Sequence, residues 1–352
     1  MLDKIKCVIV GATGYGGAEL LRNLLFHPFV DVTRITAVDY VGKPISDVHM
    51  SLLGKTSLKV EQLDVLDAAQ GADVVFFALP HKVSAKEIMR LFGTGVKIID
   101  LSGDFRLQNK DDYTQFYGAG HPCHEASATF VYGLPELFRR SIRTATRIAS
   151  PGCFATAITL SMLPLAKAGL LSGPARVAAM TGSSGSGAEP KLTTHHPLRA
   201  GNIRAYKTLD HQHTPEIIQT LQAGGAGADF SLQFVPISAP LVRGIFVTAF
   251  VEVPAHLNEQ DIRQIYRSEY GDEPCIRLLE GRLPEVIGIA GSMFVEIGLQ
   301  LDTEARDGKR TLVCFSALDN LVKGGAGQAI QSMNILMGWP ELTGVDRVGL
   351  WP

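Results

Sequence analysis

Ile5-Lys-Cys-Val-Ile-Val-Gly11-Ala-Thr-Gly-Tyr-Gly-Gly17 is a short apolar run that ends in a glycine-rich turn. A helical pattern follows from Ala18 to His27, with Leu20, Leu21, Leu24 and Leu25 on one side and Pro28 just beyond its end. Val30–Val38 is strand-like again, so strand, glycine turn, helix and strand succeed one another within one βαβ unit. Glycines at the close of a strand permit a tight turn and let backbone N–H groups and a helix start approach a pyrophosphate. The candidate cofactor-binding residues of this turn are Gly11, Thr13, Gly14, Tyr15, Gly16 and Gly17; a structural turn without a ligand is the alternative. Asp39 falls where the second strand of such a unit meets the adenosine ribose. A carboxylate there accepts from a ribose 2′-OH and repels a 2′-phosphate, which favours NAD over NADP, unless Asp39 is only a solvated turn residue.

Further runs, Asp73–Leu79, Val96–Leu101 and Thr146–Ala149, are continuously apolar, as buried parallel strands are. The first 150 or so residues therefore read as an α/β, doubly wound sheet. Later strand candidates, Arg176–Met180, Ser231–Val235, Gly244–Val253, Met293–Leu301 and Thr311–Ala317, suit a mixed or antiparallel sheet with helices on one side. Thr181–Lys207, rich in Ser, Gly, Thr and His, is too long for an idle loop, and Gln222–Gly227 is a second exposed connection. Gly327–Met337 closes the chain with a helical pattern. The expected domains are 1–149 with 321–352, which would bind the dinucleotide, and 150–320, which would carry substrate chemistry and oligomerisation.

The 352 residues are 46% hydrophobic with a formal net charge of -2, so a core is easily built and no basic excess draws nucleic acid. No stretch reaches the roughly 18 apolar residues of a membrane span. The start, Met1-Leu-Asp-Lys-Ile-Lys, lacks the pattern of a signal peptide and runs straight into a strand. Five cysteines, with no CxxC pair, argue against a disulfide framework or zinc site and for a reducing compartment. The expectation is a cytoplasmic protein with no membrane and no nucleic-acid partner.

Ser150-Pro-Gly-Cys153 is the sharpest local signal for chemistry. It follows an apolar strand and precedes a helical run, Phe154–Leu163, which Pro164 is expected to end or kink. A cysteine at a helix start has its thiolate stabilised by the dipole and the unpaired N–H groups. Cys7 and Cys314 lie in apolar strands and read as inert; Cys123 and Cys275 lie in polar loops. His211-Gln-His213 precedes Thr214-Pro-Glu216, where Thr214 is expected to cap a helix. His213 would then stand at that helix mouth, able to act as acid and base beside a thiolate. A surface HxH pair is the plainer alternative. Metal binding with His195 and His196 is another, although no carboxylate or cysteine stands at a familiar spacing. Ser183-Ser-Gly-Ser-Gly187 is either a cofactor- or phosphate-binding turn or a flexible loop. Lys191, Arg199, Arg204 and Arg243 are either anion ligands or solvated charges.

Eight segments carry a resemblance that spans almost the whole chain in order. They are Gly11-Ala-Thr-Gly-Tyr-Gly-Gly-Ala-Glu-Leu20, Ala78-Leu-Pro-His81, Asp100-Leu-Ser-Gly-Asp-Phe-Arg106, Val131-Tyr-Gly-Leu-Pro-Glu-Leu137, Pro151-Gly-Cys-Phe-Ala-Thr156, His211-Gln-His-Thr-Pro-Glu216, Val242-Arg-Gly-Ile245 and Asp319-Asn-Leu-Val-Lys-Gly-Gly-Ala-Gly-Gln328. Together they resemble the N-acetyl-gamma-glutamyl-phosphate reductase family of arginine biosynthesis. The resemblance implies a Rossmann-type doubly wound sheet, an α+β substrate domain similar to that of aspartate-semialdehyde dehydrogenase, and a homo-oligomer, dimer or tetramer. It implies NADP(H) as cofactor, although the family often has Ser-Arg where this chain has Asp39, which keeps NAD(H) in play. It implies Cys153 as nucleophile and His213 as acid/base, and places Ser183, Gly185, Gly187 and Asn320 beside the cofactor. The C-terminal helix would return to the first domain. Ser150, where the family often has Asn, is a candidate substrate contact with Arg106 and Arg243.

Thr194-His-His-Pro-Leu-Arg-Ala-Gly-Asn-Ile-Arg-Ala-Tyr206 is similar to the loop of a sister branch. Those enzymes reduce aminoadipate or glutamate phosphate attached to an amino-group carrier protein. That likeness implies a role for His195, His196, Arg199, Arg204 and Tyr206 against an acidic carrier tail. The expected substrate is N-acetyl-L-glutamyl 5-phosphate, reduced to the semialdehyde with release of phosphate; the carrier-linked acyl phosphate is the alternative. In a different class stands a dinucleotide-binding sensor without chemistry, for which Cys153 would be dispensable. A plain alcohol dehydrogenase would also need no cysteine nucleophile.

Overall fold

The structure, a computed structural model, describes residues 4–118 and 120–351. Met1–Asp3, which the sequence reading runs into the first strand, lie outside the described residues. The chain divides into two compact units, one formed by the residues up to Pro151 with Gly325–Asp346, the other by Gly152–Gly324 with the residues from Arg347 on.

The first unit holds a six-stranded sheet of β1 (Ile5–Val10), β2 (Val30–Thr36), β3 (Val74–Phe77), β4 (Lys97–Asp100), β5 (Val131–Tyr132) and β6 (Arg147–Ala149). The order is β2-β1-β3-β4-β6-β5, and every pair is parallel. Val8, Ile9, Val74–Phe77, Ile98 and Ile99 are buried because helices lie on both faces of such a sheet. From β1 the chain runs outward to the edge strand β2 and then crosses to β3. The ends of β1 and β3 therefore form a topological switch point, the place where open α/β sheets bind ligands. The helix after the glycine turn is Tyr15–Leu24, three residues earlier than its apolar pattern, because Gly16 and Gly17 already lie in its first turn. The C-terminal helix Gly327–Leu336 packs in this unit: Gln328 Nε2 donates to Gly133 O at 2.7 Å, and His27 Nε2 pairs with Asn334 Oδ1 at 3.0 Å.

The second unit holds a seven-stranded mixed sheet of β7 (Pro174–Thr181), β8 (Arg204–Ala205), β9 (Ser231–Ser238), β10 (Ile245–Pro254), β11 (Ile276–Leu278), β12 (Val295–Leu301) and β13 (Lys309–Leu318). Its order is β11-β12-β13-β10-β7-β9-β8. β10 is antiparallel to both β13 and β7, whereas β7 and β9 run parallel. Helices Cys153–Lys167, His213–Ala223 and Glu259–Tyr270 pack on this sheet. Residues at alternate positions, Val247, Ala249, Val251 and Cys314 among them, are fully or almost fully buried. Phe246, Thr248, Phe250, Val313 and Phe315 are the ones between and remain partly exposed. The middle of that second face is thus largely apolar and partly exposed.

Pro164, expected from the sequence to end or kink the helix that begins at Cys153, does not end it, and the helix continues to Lys167. Proline removes one N–H and so strands the carbonyl four residues back. That carbonyl, Leu160 O, accepts instead from Tyr270 Oη at 2.7 Å, and the next, Ser161 O, accepts from Tyr266 Oη at 2.6 Å. Two buried tyrosines on another helix thereby carry the helix past its proline. Among the described residues no helix is long and apolar enough to cross a membrane.

Candidate active site

In the first unit, Gly11 has φ of +90°, and a Cβ there would lie 2.5 Å from Ala78 O, just past the end of β3. A Cβ on Gly17 would lie 2.6 Å from the Ala12 backbone. These two glycines let the turn fold closely on itself and on β3. Gly14, the residue before the Tyr15–Leu24 helix, has an open approach and no side-chain cap on the helix start. The arrangement fits a dinucleotide pyrophosphate, whose charge would meet unpaired amides and the positive end of the helix. Asp39 is exposed beside this turn, and Thr13 Oγ1 donates to Asp39 Oδ1 at 2.6 Å.

In the second unit, Cys153 is the first residue of its helix, with Gly152 extended before it. Thr156 N bonds Gly152 O at 2.8 Å as the first helical bond, which leaves the amides ahead of it pointing out of the helix end. His213 likewise opens its helix. Thr214 is therefore inside the first turn and is not the cap; the capping position falls to Gln212, whose side chain does not cap. The work expected of Thr214 is done by His211, whose Nδ1 accepts the His213 N–H at 3.1 Å. Burial, and then the neighbouring His213, push the His211 imidazolium down to about 2, so His211 is a neutral acceptor. A Cβ on Gly152 would fall 2.3 Å from His213 Nε2. The imidazole thus occupies the space that any other residue before Cys153 would fill.

Of the five free cysteines, Cys153 alone is partly exposed. Burial is the first cause that raises the thiols of Cys7, of Cys123 to about 11 and of Cys314 to about 12. Cys123 and Cys275, loop residues by sequence, are buried too. Tyr206 stands in the Cys153 neighbourhood: burial and next the Cys153 charge raise its phenol, while Arg199 and Arg204 oppose the rise. Its ring meets His211 edge-on at 5.8 Å.

Ser183–Ser186 is a short 3-10 turn held by Asn320, whose Nδ2 donates to Ser184 Oγ at 3.0 Å and whose Oδ1 accepts Gly244 N at 2.7 Å. Arg243, at 3.4 Å from the buried Asp319, lies in the same part of the unit. Gly185 and Gly187 are exposed. The long connection 182–207 carries a 3-10 turn, Leu192–Thr194, and a short helix, His196–Arg199. His195, His196 and Arg204 are exposed on it. Arg199 instead turns inward to Ser238 Oγ and to the carbonyls of Thr181 and Leu241. Among the described residues no three His, Cys, Asp or Glu side chains group to hold a metal ion. In the first unit Arg106 is buried and donates to Ser150 O at 2.7 Å and Leu101 O at 2.8 Å.

Three residues at this site lie within the quoted segments, but the sequence assigns them no role. Glu216 is fully buried, and its Oε1 accepts Gly152 N at 2.8 Å. Gly324 lies behind the cysteine: a Cβ there would come 2.9 Å from Cys153 Cβ. His211 serves as the acceptor described above. Glu216 had a visible signal, since it stands three residues after His213 and so shares its helix face; Gly324 lies in the quoted Asp319–Gln328 segment, but nothing in that segment points to Cys153.

A partly exposed thiol at a helix start, with a buried imidazole against the residue before it, and a dinucleotide-type glycine turn elsewhere in the same chain are features that an oxidoreductase working through a covalent cysteine would need. Comparison with known proteins places the chain further. Residues 6–145 match the family model described as semialdehyde dehydrogenase, NAD binding domain, and residues 153–320 match semialdehyde dehydrogenase, dimerisation domain. The chain belongs to the semialdehyde dehydrogenase family. It is 41% identical to the [LysW]-L-2-aminoadipate 6-phosphate reductase of Deinococcus radiodurans, over 99% of both chains. It is 40% identical to the N-acetyl-gamma-glutamyl-phosphate reductase of Pelotomaculum thermopropionicum, again over 99% of both. The family anticipated from the eight sequence segments is thus the one found. Among solved structures, aspartate semialdehyde dehydrogenase II of Vibrio cholerae superposes with a TM-score of 0.71 at 17% identity, covering 96% of this chain and 99% of that one. At that identity the likeness establishes the fold, which agrees with the sheet architecture expected from sequence.

Proposed function

We propose that this protein reduces the acyl phosphate of an amino-blocked acidic amino acid to its semialdehyde, with N-acetyl-L-glutamyl 5-phosphate as substrate, as a step of arginine biosynthesis. The observation that carries the reading is the packing of His213 Nε2 against Gly152, one residue before Cys153. The Cys153 thiolate attacks the acyl carbon, forming the C–S bond and breaking the C–O bond to phosphate. Amides at the start of the Cys153 helix stabilise the oxyanion. The Gly11–Gly17 turn would hold the reduced nicotinamide cofactor, which would supply the hydride that brings the thioester to the aldehyde level. His213 gives and takes the proton as the thiohemiacetal collapses to semialdehyde and thiolate. The cofactor proposed is NADPH, on the family resemblance and because the homologous fold in Candida albicans aspartate semialdehyde dehydrogenase was solved with NADP. Asp39 argues for NADH in its place. Ser183–Gly187 and Asn320 are proposed as further cofactor contacts, and Tyr206, Arg243, Ser150 and Arg106 as residues that bind substrate or shape its site. The largely apolar, partly exposed face of the second sheet supports a homo-oligomer.

A second reading has its own observation. The exposed His195, His196 and Arg204 on one connection suit an acidic partner. A substrate carried on an amino-group carrier protein would bring one, as the name of the Deinococcus radiodurans relative describes for that enzyme.

The test is the reverse reaction: semialdehyde, phosphate and each oxidised cofactor, with wild type and Cys153→Ser. Phosphate-dependent turnover that vanishes in the variant is expected. Turnover without phosphate, or an active variant, sinks the acyl-phosphate mechanism. The same assay with carrier-linked semialdehyde separates the two substrates.

A further inference from the structure

We infer that Glu216 is a positioning residue that sets the Cys153 turn against His213 by gripping the amide of Gly152. The inference rests on the reading of Cys153 as nucleophile.

A carboxylate buried in a protein interior costs free energy unless something compensates its charge. Glu216 is fully buried in the first turn of the His213–Ala223 helix. The positive end of that helix favours a negative charge there. An exposed carboxylate in the same turn would serve the helix equally well, so helix stability does not explain the burial. What burial achieves is a contact outside the helix, Glu216 Oε1 to Gly152 N at 2.8 Å. Three residues earlier, on the same face, His213 lays its ring against the Gly152 α-carbon, where a Cβ would be 2.3 Å from Nε2. One helical turn therefore holds one residue twice, at its amide and at its α-carbon. The next residue along the chain is Cys153. The distance over which a proton passes between its sulfur and the imidazole is in this way referred to a single rigid element.

Two measurements test this on the whole protein. The first is the rate of Cys153 alkylation by iodoacetamide against pH, which needs no substrate. The second is kcat and KM for the semialdehyde in the reverse assay. Glu216→Ala is expected to slow alkylation at neutral pH and lower kcat, each about tenfold or more, with KM little changed, because misplacement of about 1 Å is worth that much. Glu216→Gln keeps an oxygen at the same reach and is expected to restore both to within a few-fold of wild type. Glu216→Asp keeps the charge but withdraws the oxygen, and is expected to behave like Glu216→Ala; it decides the matter if the alanine protein does not fold. Wild-type alkylation and kcat in a folded Glu216→Ala or Glu216→Asp protein overturns the proposal. A glutamine protein as impaired as the alanine one also overturns it, since charge and not placement would then be at work. If wild type shows no selective alkylation at Cys153, the nucleophile reading itself falls, which is a separate and recognisable failure.

Discussion

Thr13 Oγ1 donates a 2.6 Å hydrogen bond to Asp39 Oδ1 and so ties the glycine turn to the segment just past the end of β2. On the proposed cofactor reading, the Asp39 carboxylate faces the adenosine ribose. Unit charges near a protein surface interact by about 1–4 kcal/mol at 4 Å. Asp39→Ser should then raise kcat/KM for NADPH relative to NADH by about tenfold or more. Steady-state rates with both cofactors check it, and an unchanged ratio would mean that Asp39 does not face the ribose.

Gly152 and Gly324 leave no room for a methyl group beside Cys153. A Cβ at Gly152 meets the whole edge of the His213 ring, and one at Gly324 meets Cys153 Cβ and Leu318 Cδ1 at 2.9 and 3.1 Å. Gly152→Ala and Gly324→Ala are each expected to lower kcat by about a hundredfold while the protein stays folded. Circular dichroism with turnover measurements checks this. A fully active alanine variant would show that the packing around Cys153 yields at no cost.

The partly exposed face of the second sheet predicts self-association. Phe250 pairs in register with Val313 on one side and Arg176 on the other, and Phe246 lies beside Phe315 with ring centroids 6.2 Å apart. Phe250→Asp would place a charge in any interface built on that face. Light scattering after size exclusion should show the oligomer of the wild type reduced to smaller species. Equal masses would place the interface elsewhere.

Asp100 predicts a pH dependence of stability. It is fully buried, and burial raises its carboxyl from the ordinary 3.8 of an aspartate to about 6, against hydrogen bonds from Ser84 and Ser102 that lower it. Between those two values the folded protein holds a proton that the unfolded chain has lost. Its contribution to stability is therefore complete at low pH and is lost as pH rises through about 6, by roughly 3 kcal/mol in all. Asp100→Asn cannot titrate. The stability of wild type relative to this variant, from urea unfolding, should fall as pH rises from about 4 to about 7. A constant difference would show that Asp100 does not titrate in this window.

Much of this was legible in the order of the residues. Period and composition suffice for the glycine turn, the parallel apolar strands and the mixed second sheet, because each depends on contacts close along the chain. Cys153 stood out for the same reason: a Pro-Gly turn before a helix start is a local pattern. Thr214 and Pro164 show the limit. Both followed correct local rules, and both were overruled by side chains distant in sequence or unforeseen in direction, the His211 imidazole in one case and the hydroxyls of Tyr266 and Tyr270 in the other.

The sequence by itself determined the fold class and the family, and singled out Cys153 as the candidate nucleophile. Only the tertiary structure decided what surrounds that cysteine. Glu216 on the Gly152 amide and Gly324 behind the Cys153 side chain are contacts between residues 64 and 171 positions apart in number. No periodicity encodes such a meeting, because it is set by how helices and strands pack and not by the propensity of any one segment.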